Sequence, residues 1–180
     1  MERILLGSGD VFCMEYTGTI PEYAEIEKME NLLAEIQGGA TISYNVEWYD
    51  AEVDSGRVSK SYLKKETAIL KTGIATLNGN TIKKLCATAR VTEDATKHTR
   101  TVKIGGANNF DGKKYLIHFL HRDAADGDVR VTIVGNNQAP IEFAFAKDKE
   151  TVVNTEFKAT ALDEEGTLIL YNEEDNTIKA

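Results

Sequence analysis

The sequence predicts a mainly β fold, a sandwich or barrel-like pair of antiparallel sheets with one flanking α-helix. Apolar and polar residues alternate at the period of a half-buried strand over Ile42–Trp48 and again over Val129–Ile133. The run Tyr115–Leu120 is largely apolar at both alternating sets of positions, which is typical of a central strand covered on both faces. The best helix signal lies near 80–89, where a capping residue precedes an apolar stripe at helical spacing.

The stretch VRVTIVGNNQAPIEFAF, Val129–Phe145, predicts a β-hairpin at the centre of the fold. Its first half alternates through Val129, Val131 and Ile133, and GNNQAP supplies turn formers. Its second half alternates again over Ile141–Ala146, with Phe143 and Phe145 on the apolar side. Together with strands at Tyr115–Leu120 and Val153–Ala159, this predicts four consecutive strands in one antiparallel sheet.

The N-terminal region, residues 1–37, is predicted to be a segment or arm. VFCMEY, Val11–Tyr16, is predicted as an edge strand. Ile20–Ile36 favours a helix, because Pro21 can open it and apolar residues recur at helical spacing until the glycines at 38 and 39. The alternative is an arm that becomes ordered only against a partner chain.

A long β-hairpin is predicted near 41–71. The strand Ile42–Tyr49 is followed by the turn DSGR at 54–57, and Val58–Lys71 returns as a polar strand too long to be all core. Trp48 lies on the apolar face of its strand, so we expect it to pack in the core. The open edge of this hairpin could pair with another chain. Alternatively, Lys60, Lys64 and Lys65 protect the edge from such pairing.

The remaining elements are a helix, a loop and a C-terminal hairpin. Asn80 is the predicted cap of the helix near 80–89, whose apolar stripe is Ile82, Leu85, Cys86 and Ala89. Val91–Thr99 is polar and is predicted to be a mobile loop. LDEEG is predicted to turn the Phe157 strand into the strand Thr167–Tyr171, and the acidic tail 172–180 to leave the fold.

The totals favour one domain spanning 1–180 in a reducing cytosol. A chain of 180 residues is long enough to bury a core, and Cys13 and Cys86 show no metal-binding or disulfide spacing. No apolar run approaches the roughly 20 residues that a membrane span requires. A formal charge of −8 argues against a nucleic-acid clamp, but a surface past which DNA slides would also be acidic.

No catalytic, cofactor-binding or metal site is predicted. His118 and His121 are three residues apart on a strand, so their side chains point to opposite faces and cannot share one ion. His98 lies in a polar loop, and Cys86 is expected to be an inert thiol on the helix stripe. The remaining acidic cluster lacks the spacing of a calcium loop and is predicted to be a solvated turn and tail: Asp163, Glu164, Glu165, Glu173, Glu174 and Asp175.

Five motifs follow one another between residues 38 and 171: TLNGNTIKKLC, RTVKIGG, DVRVTIVGNNQ, FAKDKETVVNTEFKA and DEEGTLI. In order and spacing this series resembles the tail tube (major tail) proteins of siphophages and prophages of Gram-positive bacteria. The segment IPEYAEIEKMENLLAEIQGG departs from the family, because it is more helical than the family's usual arm.

The resemblance implies a structural virion protein rather than an enzyme. Six copies would form a ring, and rings would stack into a hollow tail through which DNA leaves the capsid without specific binding. Further partners would be the tape measure and the tail terminator and initiator proteins, with no membrane partner and no cofactor. Synthesis and assembly would take place in the cytoplasm of the bacterial host.

Acidic residues lining such a bore would repel DNA, so we expect the acids of the long hairpin and of one loop to face mostly solvent. They are Glu47, Asp50, Glu52, Asp54 and Glu66 on the hairpin, and Asp123, Asp126 and Asp128 in the loop.

Two other functions remain open. One is a carbohydrate-binding sandwich that stacks sugars on Trp48, Tyr49 and Tyr62, and the other is a small metal-dependent barrel enzyme that uses His118 and His121.

Overall fold

The computed structural model describes residues 8–52, 59–148 and 150–175, and within them the fold is mainly β, as predicted. The helices are short, with α1 at Tyr23–Ile26, α2 at Gly79–Leu85 and single 3-10 turns at Met29–Asn31 and Ala107–Asn109. The strands are β1 Asp10–Glu15, β2 Leu32–Ala34, β3 Ile36–Glu52, β4 Ser59–Ile74, β5 Arg90–Asp94, β6 Thr99–Lys103, β7 Tyr115–His121, β8 Val129–Asn137, β9 Val153–Thr160 and β10 Leu170–Glu173.

Eight of these strands form one antiparallel sheet in the order β2-β1-β7-β8-β9-β4-β3, with β10 also paired to β8. One edge of β8 serves two partners in tandem, because β10 pairs with Val129–Thr132 and β9 with Val134–Asn137. The adjacent strands β7, β8 and β9 account for three of the four strands predicted to share a sheet. β5 and β6 form a separate two-stranded sheet.

The sheet is buried on both faces near its middle. One face holds a cluster that includes Leu70, Ile133 and Phe157, against which Leu85 of α2 packs. The other face holds Phe12, Leu116, Leu120 and Val134, covered by Ile26 and Leu162. Full burial of an apolar side chain stabilises a fold by about 1.5–3 kcal/mol, so these two clusters are the main source of stability.

The predicted hairpin within Val129–Phe145 is wrong. β8 runs on through the expected turn to Asn137, where it pairs with β9, and a side chain at Gly135 would collide with the carbonyl oxygen of Lys158. Ile141–Ala146 has the alternation of a strand but pairs with no strand in the part of the chain that the structure describes, and Phe145 is 88% exposed.

The predicted helix over Ile20–Ile36 is also wrong. Ile26 and Leu33 are buried, but Ile26 packs on one face of the sheet and Leu33 on the other, an arrangement that one straight helix cannot provide, and Met29 is 77% exposed. The chain therefore forms a single helical turn, a 3-10 turn and then β2. Because β2 pairs with β1, the predicted edge strand is internal.

The helix near 80–89 is shorter than predicted and has a different cap. The Asn78 side chain accepts hydrogen bonds from the backbone N–H groups of Asn80 and Thr81, so Asn78 rather than Asn80 is the cap. The helix ends at Leu85, and Cys86 is extended. The predicted mobile loop over Val91–Thr99 is instead occupied by the β5–β6 hairpin.

The C-terminal strand pairs differently from the prediction. A turn brings Thr167 O within 2.8 Å of Leu162 N, but β10 then pairs with β8 and not with the Phe157 strand. The first residues of the predicted free tail, Asn172 and Glu173, belong to β10, and Glu174 N donates to Asp128 O.

The predicted turn at 54–57 and the positions 1–7 and 176–180 lie outside the described residues. Among the described residues, no helix is long and apolar enough to cross a membrane.

Candidate assembly surface

The outer halves of β3 and β4 extend beyond the rest of the sheet as a two-stranded ribbon. β9 pairs with β4 only at Ile69–Ile74, so no strand among the described residues pairs with the part of the hairpin farther out. We call residues 43–52 and 59–68 the ribbon. Every described side chain over Tyr44–Asp50 and Lys60–Glu66 is exposed. The predicted long hairpin is thus confirmed, and its outer part lies outside the core apart from Ala68, which is buried where the ribbon meets the body.

One side of the ribbon, here called the apolar face, carries Tyr44, Val46, Trp48 and Leu63. It continues the side on which Ile42 and Leu70 pack into the core. The prediction that Trp48 is buried is wrong, because its side chain is 58% exposed. Alternation identified the correct side of the strand, but the body of the protein ends before Trp48.

The opposite side, here called the basic face, carries a tyrosine pair and most of the hairpin's lysines. By strand register, Tyr49 lies opposite Tyr62 and Glu47 opposite Lys65. The same side continues across the body through β4 and β9, where Lys71 and Glu156 form an ion pair of 2.6 Å. The side chains of this face that carry charge are Lys60, Lys64, Lys65, Lys71, Lys158, Glu47 and Glu156.

A β-bulge in β4 determines which charged side chains lie on which face of the ribbon. The register shifts between Glu47 and Trp48, so that Lys64 is an extra residue on β4 and its Nζ lies 2.7 Å from Glu47 Oε1. Uninterrupted alternation would have put Glu66 on the same side as Lys60. The extra residue moves Glu66 to the apolar face, where its carboxylate accepts a hydrogen bond from the Tyr44 hydroxyl at 3.0 Å.

Both edges of the ribbon lack a partner strand among the described residues. β3 is the last strand of the sheet, and β4 is open from Lys60 to Ala68. Unpaired strand edges carry free N–H and C=O groups that can pair with another chain. The two edges differ in charge, because β3 contributes the acids Glu47 and Asp50, whereas β4 contributes three lysines and one acid: Lys60, Lys64, Lys65 and Glu66.

The acids predicted to face solvent mostly do so. Glu47, Asp50 and Glu66 are exposed, and so is Asp126 in the loop. Asp123 and Asp128 are half-buried: Asp123 Oδ1 accepts from Ala125 N and Asp126 N, and Asp128 Oδ2 lies 3.3 Å from Arg130. The Glu52 side chain and Asp54 fall outside the described residues.

The aromatic residues proposed for sugar stacking do not form one platform. Tyr49 and Tyr62 share the basic face, while Trp48 lies on the apolar face, on the opposite side of the ribbon. All three are exposed, at 57%, 48% and 58% respectively. A sugar stacked on the tyrosine pair would therefore not reach Trp48.

The two histidines of β7 are buried and separate. His118 Nδ1 lies 2.8 Å from Thr132 Oγ1 and its Nε2 3.3 Å from Glu27 Oε1, whereas the His121 ring donates to Ser8 O at 2.9 Å. Burial lowers the pKa of His118, and Glu27 partly opposes this effect. Within the ranges that the structure covers, no three metal-ligating side chains come together.

The network around Glu27 was not predicted. Glu27 accepts from Arg130 Nε at 2.6 Å, and Arg130 also contacts Glu174 and the ring of Tyr23. These residues lie far apart in the chain and match no spacing rule, so no local signal could have identified them. Arg130 alone offered a hint, as a charged residue within a strongly apolar strand.

The other residues weighed for chemistry have ordinary structural roles. Burial raises the pKa of the Cys13 thiol to about 12 and also raises the pKa of Cys86, so neither is a ready thiolate. Hydrogen bonds with the side chain and then the backbone of Thr167 lower the pKa of Asp163 in an exposed turn, and Thr167 N lies 2.9 Å from Asp163 Oδ1. His98 is exposed, as predicted, with a left-handed backbone (φ 51°).

No protein-family model and no curated protein matches the chain. A solved structure described as "Virion of native gene transfer agent (GTA) particle" is similar to it, with a TM-score of 0.41 and 13% sequence identity. The match covers 91% of this chain and 95% of that chain. A likeness of this size establishes neither a family nor a function.

Proposed function

We propose that this chain is a structural virion protein whose copies form rings of six that stack into a phage tail tube, a conduit for DNA during ejection. The observation that carries the proposal is the ribbon, a long exposed hairpin with two open edges. The number six, the stacking, the assembly in the bacterial cytoplasm and the tape measure, terminator and initiator partners come from the sequence resemblance to tail tube proteins. The role proposed is structural, with no catalysis.

The two open edges favour contact between unlike surfaces. When ribbons of neighbouring copies stand side by side and point the same way, β3 of one lies next to β4 of the other, and the two strands run antiparallel. Such a contact uses a different surface on each partner, so it generates a ring when the rotation between copies closes. Continuous hydrogen bonding around the ring would then satisfy both edges.

Charge supports the same pairing. Side-by-side ribbons bring Glu47 and Asp50 of β3 against Lys60 and Lys65 of β4 in the next copy. Complementary charge at a rim favours encounter and fixes which edges meet, more than it adds to affinity. In this arrangement we place the apolar face, with its exposed Trp48, against a neighbouring copy and the basic face towards the bore.

Exchange of the charges on one edge tests the proposal. Glu47→Lys/Asp50→Lys and Lys60→Glu/Lys65→Glu should each remain folded but fail to assemble, because like charges then meet at every contact. An equimolar mixture should assemble again, since alternating copies restore opposite charges. The measurement is light scattering and negative-stain microscopy at rising protein concentration.

The control is Asp126→Lys/Glu30→Lys, which reverses two exposed acids outside the ribbon and should assemble like the wild type. A wild-type chain that stays single at the highest soluble concentration, even with preformed tail tips as initiators, would argue against self-assembly. Assembly of each ribbon variant by itself would exclude edge pairing.

A further inference from the structure

We infer that the basic face binds the phosphate backbone of duplex DNA. The binding itself can be measured on the isolated chain, whereas its place inside a tube depends on the proposed function. The inference goes beyond a bore that only repels DNA, because it assigns an attractive DNA contact to the basic face.

The charge of this face is opposite to that of the whole chain. On its strands the face has five lysines and two glutamates, with Glu150 bound to Gln37 at its border, whereas the chain has a formal charge of −8. Glu47 is paired with Lys64 and Glu156 with Lys71. Lys65 and Lys158 form no ion pair among the described residues, so their charges are available to an anionic partner.

The hydrogen-bonding groups of the face also suit phosphate. Tyr49 and Tyr62 are directly opposite each other, and the Lys60 ammonium lies 4.9 Å from the centre of the Tyr62 ring. Lysine, tyrosine, serine and asparagine side chains are common phosphate contacts, and Ser43 and Asn45 lie on this side of β3. The surface is extended and open, as contact with a duplex requires.

The small number of free positive charges on the basic face keeps the contact with DNA weak. Three uncompensated positive charges release few counterions, so the affinity should be low and strongly dependent on salt. The acids of the rest of the surface lower it further by repulsion. In a tube with the basic face turned to the bore, Lys60 and Lys65 would also meet the acids of the next copy. The contact would then be weaker still, and the DNA could slide because phosphate contacts are independent of sequence.

The test is fluorescence anisotropy of a labelled 20-base-pair duplex, titrated with protein at concentrations where light scattering shows single chains. The variant is Lys65→Gln/Lys158→Gln, which neutralises two lysines without introducing repulsion. The control is Lys83→Gln/Lys103→Gln, two lysines on α2 and β6 that also have no ion pair among the described residues. The probe is the duplex alone, at several salt concentrations.

We expect the wild type to show a log–log salt slope of about −3, from roughly three phosphate contacts. The ribbon variant should lose about tenfold in affinity at low salt and about two units of slope, while the control stays within about twofold of the wild type. Equal binding by variant and control would overturn the inference. So would equal competition by polyglutamate, which would indicate an acidic protein as the partner.

The two proposals fail separately. Tubes that assemble normally from a chain whose DNA binding is unaffected by Lys65→Gln/Lys158→Gln would overturn the DNA contact alone. A chain that never assembles but loses salt-dependent DNA binding in this variant would overturn the tube alone.

Discussion

Glu27 accepts a hydrogen bond from Arg130 Nε at 2.6 Å, and this ion pair attaches the N-terminal segment to the middle of the sheet. The two side chains are 18% and 11% exposed, so both charges are largely removed from water. Arg130 also contacts Glu174 just beyond β10. One guanidinium therefore joins the segment before β2, the strand β8 and the residues after the last strand.

Loss of the Glu27 charge should destabilise the fold. Removal of one partner from a buried ion pair is costly because the other charge stays buried without compensation. Arg130 would keep Glu174 and Asp128, so we expect Glu27→Gln to lower the free energy of unfolding by about 2 kcal/mol in urea denaturation. The control is Glu25→Gln, whose exposed pair with Lys28 should be worth about 0.5 kcal/mol or less. Equal effects of the two substitutions would contradict this reading of the network.

The same cluster predicts a pH dependence of stability. Burial lowers the pKa of His118 below its ordinary value, so at mildly acidic pH the unfolded chain binds a proton that the folded chain resists. Stability should therefore be fully present above the unfolded pKa of about 6.5 and should fall as the pH drops below it, by at most about 1.4 kcal/mol per pH unit. The titratable and charged groups that face the ring are Glu27, Arg130 and Tyr23.

Denaturation midpoints of the wild type and His118→Gln between pH 5 and pH 8 check this prediction. The substitution should flatten the decline below pH 6.5, whatever its effect on stability at neutral pH. An unchanged decline in the variant would assign the pH dependence to other groups.

Several elements were predictable because their signals are local. The alternation over Ile42–Trp48 and Val129–Ile133 reports a strand with two unlike faces, and both strands are present. Ile141–Ala146 carries the same signal without forming a strand. Alternation shows only that a segment could be a strand, whereas a strand also needs a neighbour, and β9 already occupies the place beside β8.

Other positions were predicted wrongly because the sequence pattern does not show where the core of the protein begins and ends. Ile26 and Leu33 recur at helical spacing, but they are buried on opposite faces of the sheet. Trp48 lies on the correct side of its strand and is nevertheless exposed, because the core does not extend that far. The ribbon was predicted as a hairpin, but its basic face was not, because the bulge at Lys64 that separates the charges leaves no mark in the sequence pattern.

The cap of α2 offers a test with a built-in comparison. Asn78 Oδ1 accepts from two backbone N–H groups at the start of the helix, whereas the exposed Asn80 side chain is not the cap. Asn78→Ala should lower the free energy of unfolding by about 1 kcal/mol. Asn80→Ala, which the sequence pattern alone would have identified as the damaging change, should be nearly neutral. The reverse order in thermal or urea denaturation would show that the cap is misassigned.

Gly135 should tolerate no side chain. A Cβ at this position would collide with the carbonyl oxygen of Lys158, and because that atom is backbone, the β8–β9 pairing itself would have to shift. We expect Gly135→Ala to cost about 3 kcal/mol or to abolish soluble expression. The comparison is Gly79→Ala, where the Cβ meets the side chains of Arg100 and Val102 at the first position of a helix. This change should cost less than Gly135→Ala, because only side chains have to move.

Trp48 should report and support assembly. It is the chain's one tryptophan and is 58% exposed on the apolar face, so burial against a neighbouring copy would shift its fluorescence to shorter wavelength as the protein concentration rises. Trp48→Ala should leave the unfolding midpoint of the single chain unchanged, because the side chain lies outside the core. It should weaken assembly by tenfold or more, since a tryptophan buried at an interface commonly contributes about 2 kcal/mol or more to binding.

The control is Phe110→Ala, which removes an aromatic side chain that is 63% exposed away from the ribbon and should assemble like the wild type. Fluorescence that stays constant with concentration while light scattering shows assembly would place Trp48 outside the contact. A shift produced by glycans and not by protein concentration would favour the carbohydrate-binding function instead. In that case Trp48 would act without Tyr49 and Tyr62, because the ribbon holds them on its other side.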